Sequence, residues 1–382
     1  MRQLLVEQEK GKTSIALLQD RLLMDYWNFE EETIAAEHIY LAVVDRVAKG
    51  ISAVFVKLTE TQNGFLPFSE LKAPVKSGDA ILVQVKKPPV QSKNAYVSQD
   101  ISLAGDNLVL LPMSEFCAVS KRVQDKVKKE KMLSVAKQLA PKGMGVVMRS
   151  RCEYENVVEL EIRIQTLQKR WNTILEKSKT IKAPALIDGG LSPLAQTLRD
   201  NDQIEMVTVT NERLVQGVDC KYFVHHAPFA LFNVQHQLAK ACAKRIWLPC
   251  GGFLVIDQCE AMTVIDVNTG KYEGKKEGNA QTFFHLNKEA VKEIARIMRL
   301  RSFGGIIIVD FIDMKEEEHQ QAVRKLMEET LRKDPVKCVV HGFTALGLLE
   351  MTRKKTMESY QTISNSCLCT HCKGTGIRQE EI

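Results

Sequence analysis

The last third of the chain alternates strand-like and helix-like segments, and this alternation limits the possible folds more than any other feature of the sequence. The strand-like run 262–265 precedes a helical segment from about 287 to 302, and the apolar run 306–309 follows. A second helical segment, at about 316–333, leads into a strand-like run at 337–341. Strands and helices that alternate in this way predict an α/β layered domain. The uninterrupted apolar run 306–309 also predicts a strand covered on both faces.

The first 112 residues have a different pattern, made of short strand-like segments. Alternating apolar residues separated by polar turns predict strands near the N-terminus, at 4–6, 14–18 and 21–26. More strands with Gly and Pro between them follow at 39–44, 53–56, 64–67 and 80–85. About five short strands in this second group fit a small closed barrel, such as an OB-fold. The residues 155–177 have the apolar spacing of a helix.

Composition limits the class of protein. The 382 residues suffice for about two to three domains, and 45% hydrophobic with 26% charged residues excludes a wholly disordered chain. A net charge of +6 permits a polyanionic partner without requiring one. The N-terminal residues do not predict a secretory signal, and the sequence contains no apolar run of the roughly 18 residues of a membrane helix. With ten scattered cysteines, we therefore expect a cytoplasmic protein with reduced thiols and no integral membrane contact.

Two acidic residues stand at the ends of apolar strands. Asp266 follows the run 262–265, and Asp310 follows the run 306–309. Ligands collect at the carboxyl ends of strands in α/β sheets, and two converging carboxylates suit a hard ion such as Mg²⁺. Asn268 could orient a ligand or a metal-bound water, and Asp313 offers a further carboxylate. Ordinary turn residues with hydrogen-bonded side chains remain the alternative.

Two further motifs leave alternatives open. Cys369 and Cys372 form a CxxC knuckle, but structural zinc needs four ligands. A second pair from another subunit, completion by nearby Cys367 and His371, or a redox dithiol would each account for it. The predicted barrel carries Phe55 and Phe65 on neighbouring strands. These two aromatic residues could either stack on unpaired bases or fill the barrel core.

Four motifs in register make the chain similar to the ribonuclease E/G family of bacterial endoribonucleases, and closer to the simpler ribonuclease G type. They are Val-Ile-Asp-Val-Asn-Thr-Gly at 264–270, Leu-Arg-Ser-Phe-Gly-Gly-Ile-Ile-Ile-Val-Asp-Phe-Ile-Asp-Met at 300–314, Gly-Leu-Leu-Glu-Met-Thr-Arg at 347–353 and the knuckle at 369–376. The resemblance runs from about residue 1 to residue 376. It implies an α/β multidomain fold.

The resemblance also implies an order of domains. An RNase H-like subdomain would be split between 1–33 and 193–241, with an OB-fold RNA-binding domain at 34–112 and a 5′-sensor region at 113–192 inserted into it. A DNase I-like catalytic subdomain would occupy 242–366, and a zinc link and tail would occupy 367–382. The family commonly continues into a C-terminal small domain that helps dimerisation, and we expect this chain to lack it, because only ten residues follow Cys372 in the sequence. We therefore expect a homodimer held by a shared zinc link.

Several residue roles follow from the resemblance alone. It makes Asp266 and Asp310 the Mg²⁺ ligands and Asn268 their support in catalysis. It assigns the zinc ion to Cys369 and Cys372. It favours base stacking as the role of the barrel aromatics Phe55 and Phe65, and it adds Lys93 as a further RNA contact. It assigns recognition of the 5′-phosphate to Arg149 and Ser150. The family commonly has Thr after that arginine, so Ser150 keeps the hydroxyl group.

The implied function is a Mg²⁺-dependent endoribonuclease specific for single-stranded RNA. It would leave 5′-phosphate and 3′-hydroxyl ends, respond to a 5′-monophosphate, and act in rRNA and other RNA processing and in mRNA decay. A non-catalytic RNA-binding protein of the same fold is the alternative, although the presence of Asp266, Asp310 and Asn268 argues against it. A metal-dependent DNA nuclease is disfavoured only by the resemblance.

Overall fold

The computed structural model describes residues 1–30, 34–89, 93–105, 107–121, 123–270, 279–314 and 316–355. The strands are β1 (Arg2–Glu9), β2 (Lys12–Gln19), β3 (Leu22–Glu30), β4 (Ile39–Ala48), β5 (Ala53–Lys57), β6 (Asn63–Pro67), β7 (Ala80–Lys87), β8 (Ala95–Ser98), β9 (Leu103–Ala104), β10 (Leu108–Leu111), β11 (Ala118–Val119), β12 (Gly145–Met148), β13 (Ala185–Asp188), β14 (Met206–Val209), β15 (Tyr222–Val224), β16 (Arg245–Trp247), β17 (Phe253–Gln258), β18 (Met262–Asn268), β19 (Gly305–Asp310), β20 (Cys338–Phe343) and β21 (Leu348–Arg353). The helices are α1 (Lys126–Leu139), α2 (Val157–Thr180), α3 (Pro193–Asp200), α4 (Pro228–Leu231), α5 (Val234–Cys242), α6 (Asn279–Leu300) and α7 (Glu317–Leu331). None of these helices has both the length and the apolar character that a bilayer crossing requires.

The first sheet joins the N-terminal strands to strands from the middle of the chain. Its order is β15-β14-β1-β2-β3, with β1, β2 and β3 antiparallel and β14 parallel to β1. Successive side chains of a strand point to opposite faces, and here both faces are covered. Leu5 and Leu18 pack into one apolar core, whereas Leu4 and Leu17 pack into another. The three N-terminal strands predicted from alternation are thus confirmed.

The second sheet closes into a barrel of five strands. The order β4-β5-β6-β8-β7 is completed by pairing of β7 with β4, and β13 pairs with β4 as well. The interior is apolar, with Val54, Val56, Leu66 and Val83 all fully buried. Closure removes the exposed edges that a flat sheet of this size would have. The small OB-like barrel expected from the short strands is confirmed.

The third sheet lies beside the barrel and shares a core with it. Its order is β11-β12-β10-β9, and it packs with α1 and α2. Helix α2 confirms the helix predicted over 155–177. The common core includes Ile39 from the barrel and Leu160 from α2. Strands β9 and β10 fall inside the range 34–112 yet pair with this sheet rather than with the barrel, and the domain ranges stay predictions.

The fourth sheet carries the predicted strand–helix alternation. Its order is β16-β17-β18-β19-β21-β20, with β18 and β19 parallel, and α6 and α7 pack on one of its faces. The order β18, α6, β19, α7 and β20 confirms the α/β layered prediction. The prediction that 306–309 is covered on both faces is wrong. Ile307 and Val309 are fully buried, whereas Ile306 is 46% exposed, because both helices pack on the same face of the strand.

Helix α6 is longer than the sequence pattern predicts. It begins at Asn279 instead of about 287 and ends at Leu300. Its apolar stripe, which includes Ala290, Val291 and Ile294, is buried against the fourth sheet. Asn287 has the residue type of a helix N-cap, but it lies inside the helix and is fully buried.

Candidate active site

Two carboxylates meet on the open face of the fourth sheet. Asp266 of β18 and Asp310 of β19 are directly opposite each other in the parallel pair, where neighbouring strands lie about 4.8 Å apart. Ile265 and Val267 on either side of Asp266 are buried towards the helices. The alternation of side chains therefore turns Asp266 and Asp310 to the opposite, exposed face.

The neighbouring polar groups act on these two carboxylates. The side-chain amide of Asn268 donates a hydrogen bond to Oδ2 of Asp266, with an N···O distance of 2.8 Å. Partial burial, together with the negative charges of Asp266 and Asp313, raises the pKa of the Asp310 carboxyl. Like charges this close disfavour ionisation of both groups unless a cation compensates them. The site therefore has the chemistry of a cation-binding carboxylate pair.

A buried amide holds the segment that follows Asp310. The Asn287 side chain donates through Nδ2 to the carbonyl of Ile312 at 2.8 Å and accepts from the Ile312 amide at 3.2 Å. From the other side, Gln320 of α7 donates to the carbonyl of Met314 at 3.0 Å. The sequence reasoning missed Asn287. Its one available signal is a polar side chain set between Leu286 and Ala290 on the apolar stripe of α6.

The barrel aromatics lie on the outer surface of the barrel. Phe55 and Phe65 are opposite each other on β5 and β6, with ring centroids 5.8 Å apart at 69°. Both are half-buried and neither belongs to the interior core. Tyr96 extends the row, with its ring centroid 6.3 Å from that of Phe65. Arg46 lies 4.8 Å from the Phe55 ring, and Lys87 lies 5.6 Å from the Tyr96 ring.

This row of aromatic rings with a cation at each end is larger than the sequence indicated. The barrel-core alternative for Phe55 and Phe65 does not fit their position, and the sequence reasoning missed Arg46, Lys87 and Tyr96. Cross-strand neighbours of this kind become visible only once the strand register is known.

The predicted phosphate-binding residues lie next to α3. Arg149 and Ser150 follow β12 and are both half-buried. A terminal nitrogen of Arg149 lies 3.4 Å from Oδ1 of Asp200, and Arg199 also donates to that oxygen, at 3.0 Å. Arg151, which the sequence reasoning missed, donates to Oδ1 of Asp202 at 2.6 Å. Three guanidinium groups thus gather around carboxylates at the end of α3.

The structure places the predicted RNA-binding lysine but does not describe the predicted zinc ligands. Lys93 is exposed and lies just before β8, the strand that carries Tyr96. Cys369 and Cys372 lie outside the described residues. Within the described ranges no group of three or more His, Cys, Asp or Glu side chains could hold a metal ion. No disulfide joins the cysteines that the structure describes, namely Cys117, Cys152, Cys220, Cys242, Cys250, Cys259 and Cys338.

Comparison with known proteins gives consistent matches along the chain. The model of the family described as "Ribonuclease E/G family" matches residues 102–356. Ribonuclease G of Escherichia coli is 32% identical over 411 residues, which cover 98% of this chain and 84% of that protein. Ribonuclease G of Haemophilus influenzae is 31% identical, covering 97% of this chain and 82% of that protein. Ribonuclease E of Nostoc sp. is 30% identical, covering 91% and 56%.

Proposed function

Since the chain belongs to the ribonuclease E/G family and is an endoribonuclease, we propose that it hydrolyses single-stranded RNA with Asp266 and Asp310 as ligands of a Mg²⁺ ion. One observation carries this assignment: the two carboxylates are direct neighbours at the carboxyl ends of adjacent parallel strands, on the open face of the sheet. Asn268 supports the pair by holding one carboxylate oxygen of Asp266.

The donor set fits magnesium. Mg²⁺ keeps several waters and uses only one or two protein carboxylates, so a pair of neighbouring aspartates suffices. Burial and the neighbouring negative charges of Asp266 and Asp313 raise the pKa of the Asp310 carboxyl, and a divalent cation would stabilise its ionised form. Zinc and other borderline metals favour His and Cys ligands instead, and the pair contains only carboxylates.

The residues of the chain have distinct tasks in the proposed reaction. Asp266 and Asp310 would hold the ion, which would supply an activated water for in-line attack and neutralise charge on the phosphoryl oxygens. Asn268 would restrain the orientation of the Asp266 carboxylate through its hydrogen bond to Oδ2. Asn287 fixes the backbone two residues beyond Asp310. The products would carry a 5′-phosphate and a 3′-hydroxyl.

The barrel would hold the single strand. Exposed aromatic rings stack on bases of any sequence, and cations at the ends of the row contact the phosphate backbone. The outward position of Phe55 and Phe65 supports this role, with Tyr96 as a further stacking ring. Lys93 would add a phosphate contact beside the same row. Unpaired RNA is the substrate that such a surface favours, because its bases are free to stack.

Arg149 and Ser150 would bind a 5′-monophosphate and so stimulate cleavage. A guanidinium fork and a hydroxyl group are apt donors for phosphate oxygens. Asp200, which now faces Arg149 at 3.4 Å, would have to yield that arginine to the phosphate. The contact between Arg149 and Asp200 is longer than a well-formed charge-assisted hydrogen bond, which is about 2.7–2.9 Å. This length supports the exchange of Asp200 for a phosphate.

The finer architecture belongs to the same proposal. The first sheet, with three antiparallel strands followed by two parallel ones, supports an RNase H-like subdomain split at the expected positions. The fourth sheet and its helices would be the DNase I-like catalytic subdomain. Cys369 and Cys372 would share a Zn²⁺ ion with a second copy of the chain in a homodimer. We propose a cytoplasmic role in rRNA processing and mRNA decay.

Replacing Asp310 with Asn tests the function. Asp310→Asn should abolish Mg²⁺-dependent cleavage of a 5′-monophosphorylated single-stranded oligoribonucleotide, while its RNA affinity stays within a few-fold of the wild type. Asp257→Asn is the matched control, because Asp257 is an exposed carboxylate of the same sheet opposite Val264. EDTA should stop the wild-type reaction and added Mg²⁺ should restore it.

Near wild-type cleavage by Asp310→Asn with Mg²⁺ would show the metal assignment to be wrong. Cleavage that persists in EDTA would remove the metal from the reaction altogether. A matched DNA oligonucleotide distinguishes a ribonuclease from a nuclease without sugar preference, and we expect it to stay intact.

A further inference from the structure

An aromatic pair with an adjacent cation lies on the two strands next to β18. Trp247 of β16 and Phe253 of β17 are directly opposite each other, with ring centroids 5.1 Å apart at 55°. The guanidinium carbon of Arg245 lies 4.5 Å from the Phe253 ring centroid. Trp247 is 54% exposed, which leaves a large part of the indole open to solvent.

Strand register places this pair beside the proposed catalytic residues. Phe253 is opposite Asn268 in the pair β17–β18, so Trp247, Phe253 and Asn268 form one row across three strands. Residues opposite each other point to the same face of a sheet. That face is the one that carries Asp266 and Asp310. Phe253 is the diagonal neighbour of Asp266, which corresponds to about 7–8 Å between their backbones.

The turn that leaves β18 is packed against the two rings. Gly270 has a φ of +57°, and a Cβ atom there would lie 3.0 Å from Cδ1 of Phe253 and 3.3 Å from Cζ3 of Trp247. Gly251 approaches the same position, since its carbonyl oxygen would lie 2.5 Å from a Cβ atom on residue 270. The aromatic pair is therefore fixed relative to Asn268 by direct contact with the turn two residues beyond it.

We propose that Trp247, Phe253 and Arg245 form a nucleobase subsite, in which a base next to the scissile phosphate stacks on the Trp247 ring. An indole is a good stacking partner for any base, and an arginine beside it can contact a base face or a phosphate. The subsite is separate from the barrel row of Phe55 and Phe65, since it lies on a different sheet. This inference rests on the proposed function of the carboxylate pair.

Abasic substrates test the subsite. A 5′-monophosphorylated oligoribonucleotide with one mapped cleavage site is prepared with the base removed at each position flanking that site. With the wild type, removal at one position should lower kcat/KM by about 5- to 150-fold, the range for one stacked base. Trp247→Ala should show the same loss on intact RNA and no further loss on that abasic RNA. Trp247→Phe should retain most of the activity.

A matched control and a binding measurement accompany the kinetics. Phe223→Ala removes an aromatic ring of the first sheet that is 57% exposed. It should leave kcat/KM unchanged on intact RNA and on each abasic RNA. RNA binding to Asp310→Asn should quench tryptophan fluorescence. The quenching should disappear when Trp247→Phe is added, because Trp171 is only 6% exposed and Trp27 packs against the core of the first sheet.

The outcomes separate this subsite from the proposed function. Suppose that the wild type cleaves RNA while the losses of kcat/KM caused by Trp247→Ala and by base removal multiply at every tested position. In that case no base stacks on Trp247, and the subsite is refuted. The same conclusion follows if quenching persists without Trp247. If wild type does not cleave RNA at all, the proposed function fails, and the fluorescence measurement still decides whether a base binds at Trp247.

Discussion

Replacing Asn287 tests whether a buried amide positions the segment that follows Asp310, a proposed metal ligand. Asn287 is fully buried in α6, and its side chain makes both a donated and an accepted hydrogen bond with the backbone of Ile312. Ile312 lies two residues beyond Asp310. In Asn287→Ala, the amide and carbonyl of Ile312 would lose these partners, and the segment from 311 to 314 would be held to α6 by apolar packing without these two hydrogen bonds.

The magnitude follows from the two broken hydrogen bonds. Each unsatisfied backbone group costs about 1–3 kcal/mol when it is buried. Ile312 is only half-buried, so water can partly replace the lost partners and the lower part of the range applies. We expect local stability to fall by about 2–3 kcal/mol. Displacement of a reacting group by about 1 Å can cost about 100-fold in rate, so kcat should fall by at least about tenfold.

The assay compares local stability with turnover. Amide hydrogen exchange of residues 306–314 reports the local free energy of opening, and steady-state kinetics separate kcat from KM. We expect faster exchange at 311–314 and a lower kcat, with KM changed only a few-fold because the barrel is untouched. Lys292→Ala, an exposed position on the same helix, should change neither quantity. Faster exchange with an unchanged kcat would refute a positioning role for Asn287.

Three further predictions concern the outer parts of the proposed machinery. Phe55→Ala should weaken binding of single-stranded RNA by about 5- to 150-fold in a fluorescence-anisotropy titration, while Phe223→Ala should not weaken it. Arg149→Ala should lower the ratio of kcat/KM for 5′-monophosphorylated over 5′-hydroxyl RNA, and an unchanged ratio would remove Arg149 from phosphate recognition. Elemental analysis should find about half an equivalent of zinc per chain if Cys369 and Cys372 are shared between two copies, whereas a full equivalent would indicate four ligands from one chain.

Much of the fold could be predicted because its signals are local. Alternating apolar residues with polar turns indicate β1, β2 and β3, and a run of residues with helical spacing indicates α2. Each of these patterns is contained in a short stretch of sequence. The errors have another origin. Tertiary packing between distant segments decides which face of β19 is covered by helices and where α6 begins. Hydrophobic periodicity along one segment does not predict such packing.

The carboxylate pair was predictable for a specific reason. Asp266 and Asp310 each end an apolar run, and two parallel strands bring their carboxyl ends to the same edge of a sheet. No knowledge of register was needed. Asn287 was not predictable in this way, because its partner Ile312 is a backbone group 25 residues away. A buried polar residue on an apolar stripe indicates only that some partner must exist.

The aromatic pair beside β18 shows where the sequence stops being informative about function. Alternation along β16 and β17 already separates Trp247 and Phe253 from Ile246 and Leu254. It does not say which of the two faces the helices cover, and an aromatic residue in a strand is as consistent with the core as with the surface. Only the packing of α6 and α7 on the side of Leu254 turns Trp247 outward. The same packing exposes Asp266, so the proposed nucleobase subsite and the proposed catalytic carboxylates share one face of the sheet because both helices lie on the other face.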